Sequence, residues 1–170
     1  MQVAAVYGVY YGLAVVVSMM TFYLLDIDVK SKVPSIINYL LMVLFIVIGV
    51  KSHRDQDLNG NISYGGALGT GTLIGAAGGF IVGGFSIILF SFIDPDMTNR
   101  ILETSREQLL EQGQSEEQVE MALQMARKFM SPAWLFVFGI IGNALLGLFF
   151  SLFTSLFLKK DSGPFQSDNI

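Results

Sequence analysis

ISYGGALGTGTLIGAAGGFIVGGFSIILFSFI, residues 62–93, runs for thirty-two residues without one formal charge. About 20 apolar residues cross a bilayer, so a stretch this long and this apolar reads as a membrane helix and not as a buried soluble one. Within it Ala67, Gly71, Gly75, Gly79 and Gly83 recur at every fourth position. That spacing lines five small residues along one side of a helix. A neighbouring backbone can approach closely along such a groove, which is how helices associate in lipid, where apolar side chains gain nothing by leaving water. The ladder is therefore expected to be the packing centre of a bundle. At about 1.5 Å per residue the stretch outruns a hydrocarbon core of roughly 30 Å. It must tilt, project or break, with Gly78-Gly79 and Gly83-Gly84 the expected points of bending.

Three more spans follow from the same reasoning. Residues 3–25 form the first, with a short ladder at Ala4, Gly8 and Gly12. Residues 34–50 form the second, opened by Pro34, whose missing N–H costs nothing in the first helical turn. Asn38 is its only strongly polar residue, and it has no small-residue ladder, which places it at the lipid-facing edge. The third occupies 63–93. The fourth, 132–158, opens at Ser131-Pro132 and carries Gly139, Asn143, Gly147, Ser151 and Ser155 at four-residue steps. Asp26, Asp28, Lys30 and Lys32 make a charged turn between the first two spans, 51–61 reads as a polar connection, and 161–170 reads as a flexible tail. Tyr7, Tyr10, Tyr11 and Tyr64 fall at one level and Phe22, Tyr23, Phe92 and Trp134 at the other, as interfacial belts do.

Between the third and fourth spans lies the one sizeable polar segment, 95–130. Asp94-Pro95 ends the third span, because the residue before proline is pushed out of the helical region. Met97, Ile101, Leu102 and Leu109 keep helical spacing, Gly113 marks a stop, and Ser115-Glu116-Glu117-Gln118 reads as a capping box opening a second helix. The expected fold is thus an all-α membrane protein: a single transmembrane domain over 1–160, a four-helix bundle with an extramembrane helical hairpin between helices three and four.

Composition agrees and sets limits. Hydrophobic residues make up 52% of the 170 and charged ones 14%, as in a membrane protein. A net charge of −4 offers no basic footprint for nucleic acid. With no cysteine and a single histidine, disulfides, thiolate sites and histidine-rich metal centres are excluded, and no cofactor is expected. His53 with Asp55 and Asp57 in the 51–61 connection reads as an interfacial turn and not as a metal site. Charged groups inside spans are the usual mark of transport or proton relay, and none of the four spans contains one. Asn143 sits on the fourth helix's ladder and is expected to hydrogen-bond across a helix interface. Gly8, Gly12, Ala67, Gly71, Gly75, Gly79, Gly83, Asn143, Gly147 and Ser151 are the expected packing residues; no catalytic residue is expected.

On the hairpin, Glu103, Glu107 and Glu111 stand four apart. Like charges at that spacing slightly destabilise a helix, so the stripe is a candidate surface for a basic partner, beside its plainer reading as a solvated face. The function expected is a non-enzymatic accessory or scaffold component of a membrane assembly. The alternative is a small transporter or channel subunit acting as an oligomer. The bilayer itself, a membrane-protein partner or a second copy are the partners implied.

Gly49-Val50-Lys51-Ser52-His53-Arg54-Asp55, Asn61-Ile62-Ser63-Tyr64-Gly65-Gly66-Ala67-Leu68, the Asp94-Pro95 exit and the Met/Glu/Gln-rich helical insert together resemble a family of uncharacterised bacterial integral membrane proteins, a domain of unknown function. The resemblance spans nearly the whole chain. It implies four spans and an inner-membrane setting, and no activity. Lys51, Arg54, Lys159 and Lys160 lie on the side of the termini and Lys30, Lys32, Arg100, Arg106, Arg127 and Lys128 on the hairpin side. The raw count favours the hairpin side as cytoplasmic, whereas the denser placing of the first group makes the terminal side the expected one.

Overall fold

The computed structural model describes residues 2–27 and 31–160. The flexible tail expected over 161–170, and Asp28 and Lys30 of the charged turn, lie outside the described residues. Six α-helices follow in order: α1 (Gln2–Leu24), α2 (Val33–Asp57), α3 (Tyr64–Ile88), α4 (Met97–Glu111), α5 (Glu116–Phe129) and α6 (Pro132–Leu158). Among the described residues, four segments are long and apolar enough to cross a membrane: α1, α2, Tyr64–Ile93 and α6. Length and composition thus mark the chain as a multi-pass membrane protein.

Local chemistry explains where these helices begin and end. Ser63 is extended and its Oγ accepts from the Gly66 amide at 3.1 Å, capping α3. The hydroxyls of Thr70, Thr72 and Ser86 then donate to carbonyls one turn back, at 2.8, 2.9 and 2.9 Å, so an apolar helix carries them without an unpaired group. The helix runs unbroken through both glycine pairs. Its departure from α geometry comes later, in a π-helical turn over Leu89–Ile93 that closes with the Asp94 amide donating to the Leu89 carbonyl at 2.8 Å. At α5 the capping box forms in both directions: the Gln118 amide donates to Ser115 Oγ and the Ser115 amide to Gln118 Oε1. Gly113, at φ +79°, makes the turn between α4 and α5.

The polar stretch 51–57 is helical and not a connection, since α2 continues to Asp57. Nothing in Lys51-Ser52-His53-Arg54-Asp55-Gln56 breaks a helix, and two one-turn pairs support it: His53 Nδ1 with Asp57 Oδ2 at 2.7 Å, and Gln56 Nε2 donating to Ser52 Oγ at 2.6 Å. The turn is confined to Leu58-Asn59-Gly60, where Asn59 and Gly60 have φ of 50° and 85°. Directly after it, Ile62 and Lys160 exchange two backbone hydrogen bonds of 2.9 and 3.0 Å, tying the entry of α3 to the exit of α6.

In the bundle, α3 lies between α6 and α1, and α2 touches all three. The expectation that the second span sits at the lipid-facing edge is therefore half right. Ile36, Leu40 and Leu44 point outward, but Met42, Ile46 and Val50 are buried in the core with Tyr11 and Ile74. Gly49 lets the helix close up: a Cβ there would lie 2.5 Å from Ile74 Cδ1 and 3.1 Å from Tyr7 Cβ.

Candidate functional site

Two seams of backbone contact meet on α3. On one side Gly71, Gly75, Gly79 and Gly83 face α6. A Cβ on Gly139 would stand 2.7 Å from the Gly83 Cα, and one on Gly147 would stand 2.8 Å from the Gly71 carbonyl oxygen. At Gly75 and Gly79 an added Cβ would collide with the carbonyl oxygens of Asn143 and Gly139. Ala67 and Ser151 are fully buried in line with these glycines. Gly8 and Gly12 do not join this seam. They form a second one, where added Cβ atoms would lie 2.9 Å from the Ile74 and Gly78 carbonyl oxygens. Van der Waals contact at this range is what holds helices together in lipid. Within the first seam the hydroxyls of Ser151 and Ser155 are buried without a hydrogen-bond partner.

Beside the second seam sits a polar junction of three helices. Tyr11 on α1 is fully buried, and its hydroxyl lies 2.9 Å from Asn38 Oδ1 of α2 and 2.7 Å from Asn143 Oδ1 of α6. A phenol has one proton to give. Asn143 Nδ2 already donates to the Gly139 carbonyl at 2.8 Å, which fixes its Oδ1 as the acceptor for Tyr11. The tyrosine oxygen is then free to accept, so the Asn38 amide pairs with it through its NH2 group; O and N of an amide exchange places by a simple flip. Gly78 makes this possible, because a Cβ there would collide with the Tyr11 ring. Tyr11 also packs on Phe45, with ring centroids 6.2 Å apart.

Asn143 is thus in a cross-helix hydrogen bond, while Tyr11, read from the sequence as a belt residue, is at the centre of the bundle. A signal for it existed. Ala4, Gly8, Tyr11, Gly12 and Val15 are the buried positions of α1 and share one helical face. A tyrosine on the face that carries a small-residue ladder must enter the core.

Asn38 also lines a cleft of about 230 Å³ between α1 and α2, with Ser18 and Ser35. Met19, Phe22, Pro34 and Ser35 are shared with a wider cleft of about 620 Å³ nearer the helix ends, which adds Tyr23 and Arg100. Arg100 Nη2 donates to the buried carboxylate of Asp94, and that hydrogen bond holds the guanidinium above its ordinary pKa.

At the polar end of α2, too, charged side chains pair with one another. Arg54 binds Asp55 at 2.7 Å, and His53 pairs with Asp57 as described. Among the described residues no three His, Asp or Glu side chains are grouped to hold a metal ion. Leu102 and Val119 are buried between α4 and α5. All three glutamates of the acidic stripe are exposed; Glu103 alone of them also lines a groove of about 410 Å³ there, with Arg106, Glu120 and Arg127.

No curated protein and no solved structure matches the chain. A family model does, over residues 6–160, which takes in all of the packing residues and the polar junction. The chain belongs to the family described as Protein of unknown function (DUF4199).

Proposed function

We propose that the protein is a non-enzymatic scaffold of a membrane assembly, with its spans as a rigid platform and α4–α5 as a hairpin outside the bilayer. The observation that carries this reading is that the polar side chains Tyr11, Asn38 and Asn143 are hydrogen-bonded to one another. Groups consumed in holding three helices together are not poised to receive a solute. The backbone seams add stiffness, since helices in van der Waals contact along their length have little room to part. In this reading the membrane is a bacterial inner membrane, the termini are cytoplasmic, and Glu107 and Glu111, with Glu103 at the groove edge, meet a basic partner or a second copy.

A second reading, a transporter or channel subunit acting as an oligomer, is favoured by one feature: the cleft at Asn38 and Ser35 shares its wall with the wider one at Arg100. Reconstitution into proteoliposomes separates the two. The scaffold reading expects no flux of ions or small solutes above protein-free vesicles, together with a stoichiometric membrane partner after mild solubilisation. Its partner should be lost at higher salt and in a triple glutamine variant at Glu103, Glu107 and Glu111. Saturable flux abolished by Asn38→Leu would overturn it in favour of transport.

A further inference from the structure

We propose that α5 lies on the bilayer surface, with Met121, Met125 and Phe129 seated among the lipids at the boundary of headgroups and acyl chains. The helix divides into three sectors. Val119, fully buried, and Leu123, at the groove shared with α4, form the inward sector, with Ala126 half-buried. Glu116, Glu117, Glu120 and Gln124 form a polar sector. The third sector is apolar yet uncovered: Met121, Met125 and Phe129 follow at one-turn steps and are 58%, 62% and 48% exposed. A water-facing stripe of that kind is costly at about 25 cal/mol per Å² of apolar surface.

What covers it is indicated by where the stripe leads. The Phe129 ring packs on Trp134 and Phe138 of α6, with centroids 5.7 and 5.8 Å apart, and those two rings stack at 5.5 Å. Trp134 and Phe138 open the outward line of α6, which continues through Ile141, Leu145 and Phe149, all exposed. The apolar surface of α5 is therefore a continuation of the lipid-facing side of a span, without a polar break between them. The lipid that covers one covers the other. Each part suits that setting. Tryptophan favours the interface, methionine adapts to a disordered surround, and Lys128, beside the stripe, reaches the headgroup phosphates. An amphipathic helix so placed buries its apolar side about 5–10 Å deep.

The chain has no cysteine, so single cysteines report position directly. Full-length Met121→Cys, Met125→Cys and, as the polar control, Glu120→Cys are labelled with an environment-sensitive fluorophore. Each is placed in nanodiscs of phosphatidylcholine and phosphatidylglycerol. Headgroup-proximal spin-labelled lipid should quench the two Met-site labels about threefold more than the Glu120 label, with iodide showing the reverse order. Equal quenching at all three sites overturns the proposal. So does protection of the Met sites from iodide without quenching by lipid, which would assign the stripe to a second copy or a protein partner. All three sites are exposed, so the labels leave the core intact.

Discussion

One helix carries the same residue in two settings. On α3, Gly71, Gly75, Gly79 and Gly83 lie against the backbone of α6, whereas Gly65, Gly69 and Gly84 have nothing near the place a Cβ would take. The first group permits contact, and the second merely lacks a side chain. In water the distinction would be softened by the gain from burying any apolar group. In lipid that gain is absent, so close approach itself is the source of cohesion. Identical glycines on one helix should then respond to substitution in opposite directions.

The largest expected effect tests the closed side. Gly75→Leu drives a branched side chain into the Asn143 carbonyl and should abolish the folded state, with no cooperative thermal transition in detergent. Leu44→Ala, at an outward position of α2, should leave the melting temperature within a few degrees of wild type, corresponding to less than about 1 kcal/mol. If both variants melt alike, the contrast between seam and surface fails.

Next in size is the polar junction that closes the second seam. Tyr11→Phe removes the hydroxyl shared by Asn38 and Asn143 and should cost about 1–2 kcal/mol. A double-mutant cycle with Asn143→Ala, followed by steric-trap or denaturant unfolding in detergent, should return a coupling of about 0.6–1.7 kcal/mol. Zero coupling would mean that Tyr11 is held by its ring contacts alone.

Two small effects sharpen the comparison from opposite ends. Gly69→Ala, on the open side of α3, should be neutral or stabilising by up to about 1 kcal/mol, because it adds helix propensity and meets no neighbour. Ser151→Ala, inside the closed seam, should be equally benign, changing stability by about 0.5 kcal/mol or less in either direction. Its hydroxyl has no partner to lose and occupies the space a Cβ on Gly71 would take. A loss beyond about 1 kcal/mol at Ser151, read from the same unfolding assay, would reveal a hydrogen bond to an ordered water or a shifted carbonyl.

Much of this was legible in the chain because period and composition carry it. A four-residue repeat of small residues has one geometric meaning on a helix, and Ser115 with Gln118 has one at a helix start. What escaped depended on depth and on partners. Tyr11 is the same residue type as the belt tyrosines Tyr7 and Tyr10, and only the notch at Gly78 admits it to the core. The buried stripe of α2 escaped because large side chains fill a core as well as they face lipid, so Met42, Ile46 and Val50 look no different from Leu40 and Leu44. Helical continuation through 51–57 escaped because polarity was read as a loop, when no residue there opposes a helix. The placing of Glu103 alone of its stripe at a groove depends on Arg106 and Arg127 arriving from two helices, which no local pattern encodes.

A ladder that repeats every four residues has a hidden ambiguity. Slide α3 along α6 by one step, about 6 Å at 1.5 Å per residue, and small residues again face one another along much of the seam. The seam alone specifies a direction of travel and a distance of closest approach, but hardly a position along the axis. The Tyr11–Asn143 hydrogen bond and the paired backbone bonds between Ile62 and Lys160 would both be broken by that travel, and so act as an end stop for it. A smooth rail and a latch at its end are separate inventions, and this bundle needs both to stand in a single register.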